Sequence, residues 1–241
     1  MIKSIILVTK FIVIALVTFL FSSCNYSIKG SGHVTTEKRL IKDTFKNIEV
    51  SNAIEVVIEQ ANEIEVDVVA DDNLQNKITT NVENGVLIIG CEYNSFMNVK
   101  SKKVIVKMPI IEALQASGAA TISSTTVLKG DNLSINASSA SEINLKLEFD
   151  SISSESSSGS TITLIGKALQ LKTGSSSGSS INAEKLMSNE IVSNASSGGS
   201  IDVYPIVSLN AKASSGGNVS YYNVPKSLKK TSSSGGSVDK E

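Results

Sequence analysis

Residues able to carry acid–base or metal chemistry are scarce in this chain. The 241 residues include a single histidine, His33, and a single arginine, Arg39, both far from the repetitive second half. No Cys, Asp or Glu cluster with metal-ligand spacing surrounds His33, so we predict a solvated residue there. Without a histidine in the repeats, no Ser-His-Asp arrangement can form despite the many serines. The sequence therefore predicts no catalytic, cofactor-binding or metal-binding residues.

Carboxylates are the remaining acid–base candidates. Asp71 and Asp72 are the densest pair, but neighbours in a strand point to opposite faces and rarely meet on one substrate. We therefore predict a turn at this pair. Four further acidic residues fall at different positions of the repeat: Asp131, Glu142, Glu155 and Asp202. They predict no ladder of carboxylates.

Aromatic side chains that could stack on a sugar ring are few. The chain has no tryptophan, and Tyr204 lies about one repeat before Tyr221 and Tyr222. Tyr221 stands at a position predicted to face the core, so its neighbour Tyr222 is predicted to face outward. Tyr204 and Tyr222 are therefore the candidate glycan contact of this sequence.

The elements that would position these residues are set by an internal repeat. Seven short phrases, which we call Ser/Gly boxes, each end in a β-branched anchor: Ile122, Ile143, Ile162, Ile181, Ile201, Val219 and Val238. The anchors are 21, 19, 19, 20, 18 and 19 residues apart. Five residues before each anchor stands a serine, and three before it stands an alanine or glycine. A fixed period of this length is typical of a stacked solenoid.

The chemistry of the repeat predicts an all-β fold, a right-handed parallel β-helix (β-solenoid) with coils of about 19 residues. The segments between boxes are rich in Ile, Val, Ser and Thr, which favour strands over helices. The small residues of each box predict a tight corner, and right-handed crossovers are the general rule. A flexible Ser/Gly linker would not need this regularity, and the Leu-x-Leu pattern of a leucine-rich horseshoe is absent.

One domain is predicted over residues 37–241. Its irregular coils span residues 37–115, and its regular Ser/Gly-box coils span residues 116–241. In the irregular part, Asn84-Gly85 is a turn signal between two strands, and the segment 51–54 resembles an earlier, degenerate box. The one cysteine of this domain, Cys91, is predicted to be a small buried hydrophobe.

The N-terminus resembles a bacterial lipoprotein leader. Residues 1–23 read as a signal peptide, with Lys3 before an apolar run and small residues directly before Cys24. We predict lipid attachment at Cys24 and a tether over residues 24–36. A plain signal peptide cut elsewhere, or an uncleaved anchor, would also fit the apolar run. Removal of residues 1–23 leaves 20 basic and 23 acidic residues, a net charge of −3, which argues against a nucleic-acid partner.

The domain resembles the head GIN family, described as heads of auto-transporter adhesins. The resemblance covers roughly residues 37–235 and rests on five stretches: Phe45-x-x-Ile48-x-Val50-Ser-Asn-Ala53, Ala70-Asp71-Asp72-Asn73-Leu74, Val82-x-Asn84-Gly85-x-Leu87, Val104-x-Val106-x-x-Pro109 and Leu114-x-Ala116-Ser117-Gly118-Ala119. It implies a β-helical body, an adhesive role and, as in Bacteroidetes-type lipoproteins, a place in the cell envelope. It implies no catalytic residues.

The expected function is that of a non-enzymatic, lipid-anchored cell-envelope protein that acts as an adhesin or envelope interaction module. Its expected partners are the membrane, through the N-terminal lipid, and a glycan or surface protein. Two alternatives stay open. The chain could be a polysaccharide-active or glycan-binding β-helix protein, with carboxylates and lysines as its chemistry, or it could be an envelope scaffold.

Overall fold

The computed structural model describes residues 27–93 and 95–241, and these residues form a β-solenoid. Ten strands precede the regular coils: β1 (Ser27–Lys29), β2 (Val34–Arg39), β3 (Asn47–Val50), β4 (Glu55–Gln60), β5 (Glu65–Asp71), β6 (Ile78–Glu83), β7 (Val86–Cys91), β8 (Ser95–Met97), β9 (Lys102–Met108) and β10 (Ala113–Ala116). A short 3₁₀ helix, Asp72–Leu74, separates β5 from β6.

The regular coils are strands of 4 to 17 residues that pair in parallel with the neighbouring coils. They are β11 (Thr121–Ala137), β12 (Glu142–Ser156), β13 (Thr161–Ser175), β14 (Ser180–Ala195), β15 (Ser200–Ala213), β16 (Asn218–Tyr221), β17 (Ser227–Ser232) and β18 (Ser237–Lys240). Each strand of β11–β15 follows most of one coil. The predicted parallel solenoid of about 19 residues per coil is confirmed, and its right-handed sense stays a prediction.

The anchors form one buried column along the solenoid. Ile143 pairs with Ile122 on one side and with Ile162 on the other, and the same register continues to Val238. The exposed fraction of the anchors is 0% in six coils and 7% at Val238. β-Branched side chains stacked in this way pack against side chains of similar shape in the neighbouring coils.

Each Ser/Gly box is a tight turn whose two central residues have positive φ. In one coil these residues are Ser158 (φ 54°) and Gly159 (φ 72°), and the N–H of Ser160 donates to the carbonyl of Ser157 at 3.3 Å. Two positive φ angles in succession define a type I′ turn. The N–H of Gly159 also donates to the carbonyl of Ser177 in the next coil at 3.2 Å. Successive turns are thus tied into a ladder.

The residue two before the anchor is buried beneath its turn in the first six boxes, a feature that the sequence did not indicate. The hydroxyl of Ser179 donates to the carbonyl of Ser156 in the preceding coil at 2.7 Å, and it lies 2.9 Å from the hydroxyl of Ser175. Where this position is glycine, the space is smaller, since a Cβ on Gly199 would lie 2.4 Å from the carbonyl oxygen of Ser175. Stacked serines therefore bond from coil to coil at this position.

The N-terminal part is only partly solenoidal. β3 and β4 pair in parallel with β10 and β11, but β2–β5–β9 are antiparallel, and β6–β7 form an antiparallel hairpin. The hairpin turns at Asn84 (φ 51°) and Gly85 (φ 77°), as predicted. The degenerate box is also confirmed, because Asn52 and Ala53 have positive φ and the N–H of Ala53 joins the turn ladder at the carbonyl of Gly118.

The structure departs from the predicted tether over residues 24–36. β1 pairs in parallel with β8, and β2 pairs with β5 over six residues from Val34 to Arg39. The described part of that segment is therefore hydrogen-bonded to the body, because extended residues supply strands to otherwise open sheet edges. Cys24 and the predicted signal peptide, residues 1–23, lie outside the described residues.

Candidate functional site

The predicted aromatic pair lies on adjacent coils. Tyr221 pairs with Val203, and the N–H of Tyr222 donates to the carbonyl of Val203 at 3.0 Å. This register puts Tyr222 at the position equivalent to Tyr204 one coil earlier. Tyr221 is 5% exposed and Tyr222 is 39% exposed, so the predicted inward and outward orientations are confirmed. Whether the pair contacts a glycan stays a prediction.

Carboxylates surround this tyrosine pair. Asp202 is the main cause of a raised pKa at Tyr222, followed by burial and by Glu184 and Glu241. The pKa of Asp202 is itself raised, first by its burial and then by Glu184, although a hydrogen bond from Ser220 opposes the shift. A negative environment of this kind disfavours anionic ligands at the tyrosine pair.

A larger concave site lies where the irregular part meets the regular coils. Its volume is about 640 Å³, and we call it the junction pocket. One wall is the loop between β9 and β10, and the floor is formed by β11 and β12. Its lining combines apolar and polar side chains: Pro109, Ile110, Ile111, Glu112, Lys129, Gly130, Asp131, Asn132, Leu133, Ser134, Ser151 and Ser153.

The wall loop is fixed to the floor by Gln60. The side-chain amide of Gln60 donates to the carbonyls of Pro109 at 3.0 Å and Lys129 at 2.8 Å. Its Oε1 accepts from the N–H of Lys129 at 2.8 Å. One side chain at the end of β4 thus joins both sides of the pocket, and it does so with groups of the main chain, which move little.

The two charged residues at the rim are paired with partners outside the lining. Lys129 Nζ lies 2.6 Å from Glu148 Oε2, and Glu112 Oε1 lies 2.6 Å from Lys46 Nζ. Coulombic attraction and a hydrogen bond to Lys129 lower the pKa of Glu148, the hydrogen bond being the larger cause. Asp131 is the remaining ionised group of the lining.

Glycine is required on the pocket floor. A Cβ on Gly130 would lie 2.7 Å from Cε1 of Phe149, whose ring is 4% exposed. The backbone of β11 therefore passes directly over a buried ring of β12. Any larger residue would push the floor outward and change the shape of the pocket.

Sequence reasoning missed the junction pocket, and the nearest irregularity of the repeat lies outside its lining. The interval from Ile122 to Ile143 is 21 residues, the longest in the repeat. The extra length appears as a register shift between Ser123 and Val127 against β12. The wall depends on hydrogen bonds from Gln60 to residues that lie 49 and 69 positions further along the sequence, and no local pattern indicates such bonds.

The Asp71–Asp72 pair serves the fold. Asp71 is fully buried, with its carboxylate accepting from the N–H groups of Gly32, Lys100 and Ser101 at 2.8 to 3.0 Å. Asp72 begins the 3₁₀ helix, and its N–H donates to the carbonyl of His33. The predicted turn is confirmed, and His33 is exposed as predicted. Within residues 27–93 and 95–241, no three His, Cys, Asp or Glu side chains are grouped to hold a metal ion.

Other sequence expectations have simpler outcomes. Cys91 is a free thiol, half-buried and packed against the edge of the core, so it is less enclosed than predicted. In the part of the chain that the structure describes, no helix has the length and hydropathy needed to cross a membrane.

Comparisons with known proteins give one family and several similar folds. The family model described as "Putative auto-transporter adhesin, head GIN domain" matches residues 44–225, which is more than half of the chain. No curated protein is significantly similar in sequence.

Three solved structures share the fold at low identity. A "putative adhesin" from Bacteroides fragilis superposes with a TM-score of 0.81 at 18% identity, covering 89% of this chain and 100% of that one. A "putative lipid binding protein" from Parabacteroides distasonis gives 0.71 at 20% identity, covering 89% and 99%. A "putative adhesin" from Parabacteroides merdae gives 0.69 at 21% identity, with the same coverage.

Proposed function

The chain belongs to the head GIN domain family of auto-transporter adhesins, and on this premise we propose that it is a non-enzymatic adhesin or interaction module of the cell envelope. The observation that carries the proposal is the contrast between interior and exterior. The interior is a continuous column of buried apolar anchors, whereas the outward positions beside each anchor are polar on every regular coil, for example Thr161 and Thr163. A rigid column that carries a polar, hydrogen-bonding strip beside its anchors is suited to binding.

Attachment to a membrane through a lipid on Cys24 is part of the same proposal. The support is the small-residue segment before Cys24, together with a family described as adhesins. Conversion of Cys24 to alanine is expected to move the protein from the membrane fraction to the soluble fraction. Unchanged fractionation would reject the lipid and leave adhesion by the head intact.

Adhesion is tested with beads that carry the purified protein. We expect such beads to be retained on surfaces coated with cell-surface polysaccharides or with cells, and soluble protein to compete with them. Beads coated with an unrelated β-solenoid are the control for non-specific retention. Equal retention of both kinds of bead would reject the proposal. A stable pull-down of one envelope protein without any surface adhesion would favour the scaffold alternative.

A further inference from the structure

We propose that the junction pocket binds an uncharged segment of an oligosaccharide or polysaccharide. The inference rests on the proposed adhesive function and assigns its ligand class and site. The first argument is the position of the pocket along the solenoid. The regular coils present the same columns repeatedly, whereas the junction pocket lies where the wall loop between β9 and β10, which is not part of the repeat, faces β11 and β12. Insertions that break a solenoid repeat are commonly where its binding sites lie.

The pocket has a fixed shape before any ligand enters. Its wall is joined to its floor by the three hydrogen bonds of Gln60, and its floor is ordinary parallel sheet between β11 and β12. A preformed site binds a flexible chain more tightly, because only the ligand loses conformational freedom. The volume of about 640 Å³ lies in the usual range of small-ligand pockets.

The lining offers the groups that a sugar ring needs. Ile110 is 51% exposed at the wall and provides an apolar surface for the C–H face of a ring. Asp131 and Asn132 are exposed at the floor, and the hydroxyls of Ser134 and Ser151 lie beside them. A carboxylate, an amide and hydroxyls can both donate to and accept from the hydroxyls of a saccharide.

The charges favour an uncharged ligand. Lys129 pairs with Glu148 and Glu112 pairs with Lys46, each at 2.6 Å, so each rim charge has an opposite charge beside it and the rim carries little net charge. Asp131 disfavours anionic sugars such as uronic acids through like-charge repulsion. The tyrosine pair at Tyr204 and Tyr222 is the competing site; Asp202, Glu184 and Glu241 act on Tyr222, and a register shift between β14 and β15 lies beside Tyr204.

The test measures binding of the purified protein to glycans selected from an array of neutral and acidic oligosaccharides. Calorimetry then compares three variants with the wild type: Asn132→Ala, Ile110→Ser and, as a matched control, Gln170→Ala. Gln170 occupies the same column as Asn132 two coils further along, and both are exposed, so folding is expected to be unaffected. We expect Kd for a neutral glycan to rise about tenfold or more in the two pocket variants and less than about twofold in the control.

The outcomes separate this inference from the proposed function. If the wild type binds neutral glycans and the pocket variants lose binding, the inference stands. If it binds glycans but only Tyr204→Ala or Tyr222→Ala weakens binding, or if only acidic glycans bind, the inference is wrong while adhesion survives. If the wild type binds no glycan although the beads adhere to cells, the ligand class is wrong. Thermal unfolding of each variant, compared with the wild type, verifies that a loss of binding is not a loss of fold.

Discussion

Asp71 shows how one residue can join three segments of the N-terminal part. Its buried carboxylate accepts hydrogen bonds from the loop before β2, at Gly32, and from the segment before β9, at Lys100 and Ser101. Burial alone would raise the pKa of Asp71, but the backbone donors outweigh it and the net pKa is lowered. The charged form is therefore the one that the fold requires.

Asp71→Asn is expected to lower the free energy of unfolding at pH 7 by about 2 to 3 kcal/mol, because an amide turns one donor toward backbone N–H groups. Because the pKa of Asp71 is lowered in the folded state, its carboxylate stabilises the wild-type fold at any pH above the unfolded-state pKa, about 3.9. This stabilisation is lost as the pH falls through the lower pKa of the folded state. Urea unfolding between pH 3 and pH 7 measures both effects.

Asp72→Asn is the matched control for Asp71. Asp72 is adjacent and exposed, and its described hydrogen bond uses the backbone N–H, which the substitution keeps. We expect its urea midpoint to follow that of the wild type across the pH range. An Asp71 variant that behaved like the Asp72 variant would contradict the assigned role.

At the residue scale, the sequence predicted local features correctly and did not predict contacts between distant segments. The orientation of Tyr221 and Tyr222 followed from strand alternation, which is a local property. The turn at Asp71 was also a local feature. The residues that donate hydrogen bonds to its carboxylate, in contrast, lie 29 to 39 residues away, and no sequence pattern indicated them. The hydrogen-bond partners of Gln60 are also distant in sequence, and for this reason the junction pocket was not predicted.

At the scale of elements, the Ser/Gly box is a structural turn. The positive φ at Gly159 and its equivalents explains why glycine stands three before the anchor in most boxes, and Ala119 and Ala140 take the same conformation at φ 61° and 60°. The serine two before the anchor then fills the space beneath the turn in the middle coils. Repeated serines therefore bond the coils together.

Ser179→Ala is expected to lower the free energy of unfolding by about 1 to 2 kcal/mol, because it leaves the buried carbonyl of Ser156 without its side-chain donor and removes the oxygen that accepts from the N–H of Ser176. The control is Ser180→Ala. Ser180 is half-buried on the outward side, and its hydroxyl bonds to Thr161 at 3.2 Å. Chemical denaturation of both variants should show a clear loss for Ser179 and a change within about 0.5 kcal/mol for Ser180. Equal effects would contradict the turn account.

The structure of the repeating coils was predictable from the sequence, whereas the strand pairing of the non-repeating N-terminal part was not. Register, coil length and the buried anchors all follow from one pattern of about 19 residues. Because seven copies show this pattern, an ambiguous assignment in one coil can be decided by comparison with the other copies. In the first part, the sequence indicated strands and the Asn84-Gly85 hairpin. It could not indicate that β2 and β5 run antiparallel, or that the predicted tether would supply an edge strand, because each depends on pairing between distant segments.

On the scale of the whole molecule, stability is a sum over neighbouring coils. Leu171 is 2% exposed between two full coils, whereas Leu228 occupies the equivalent column in β17 and is 39% exposed. The same side chain therefore contributes differently according to the number of coils that cover it.

Leu171→Ala is expected to lower the free energy of unfolding by about 3 kcal/mol, and Leu228→Ala by less than about 1 kcal/mol. The reason is that truncation leaves a cavity only where coils enclose the side chain on both sides. Equilibrium urea unfolding of the two variants compares them directly, with the wild type as reference. Similar losses at both positions would contradict the nearest-neighbour account.

The central claim is that this solenoid binds glycans and leaves them unchanged. The direct measurement is mass spectrometry of a mixture of polysaccharide fragments after incubation with the immobilised protein, taken separately on the retained and unretained fractions. The account predicts that a subset of neutral fragments is retained with unaltered masses. Retention of no fragment, or the appearance of shorter or unsaturated products, would contradict it.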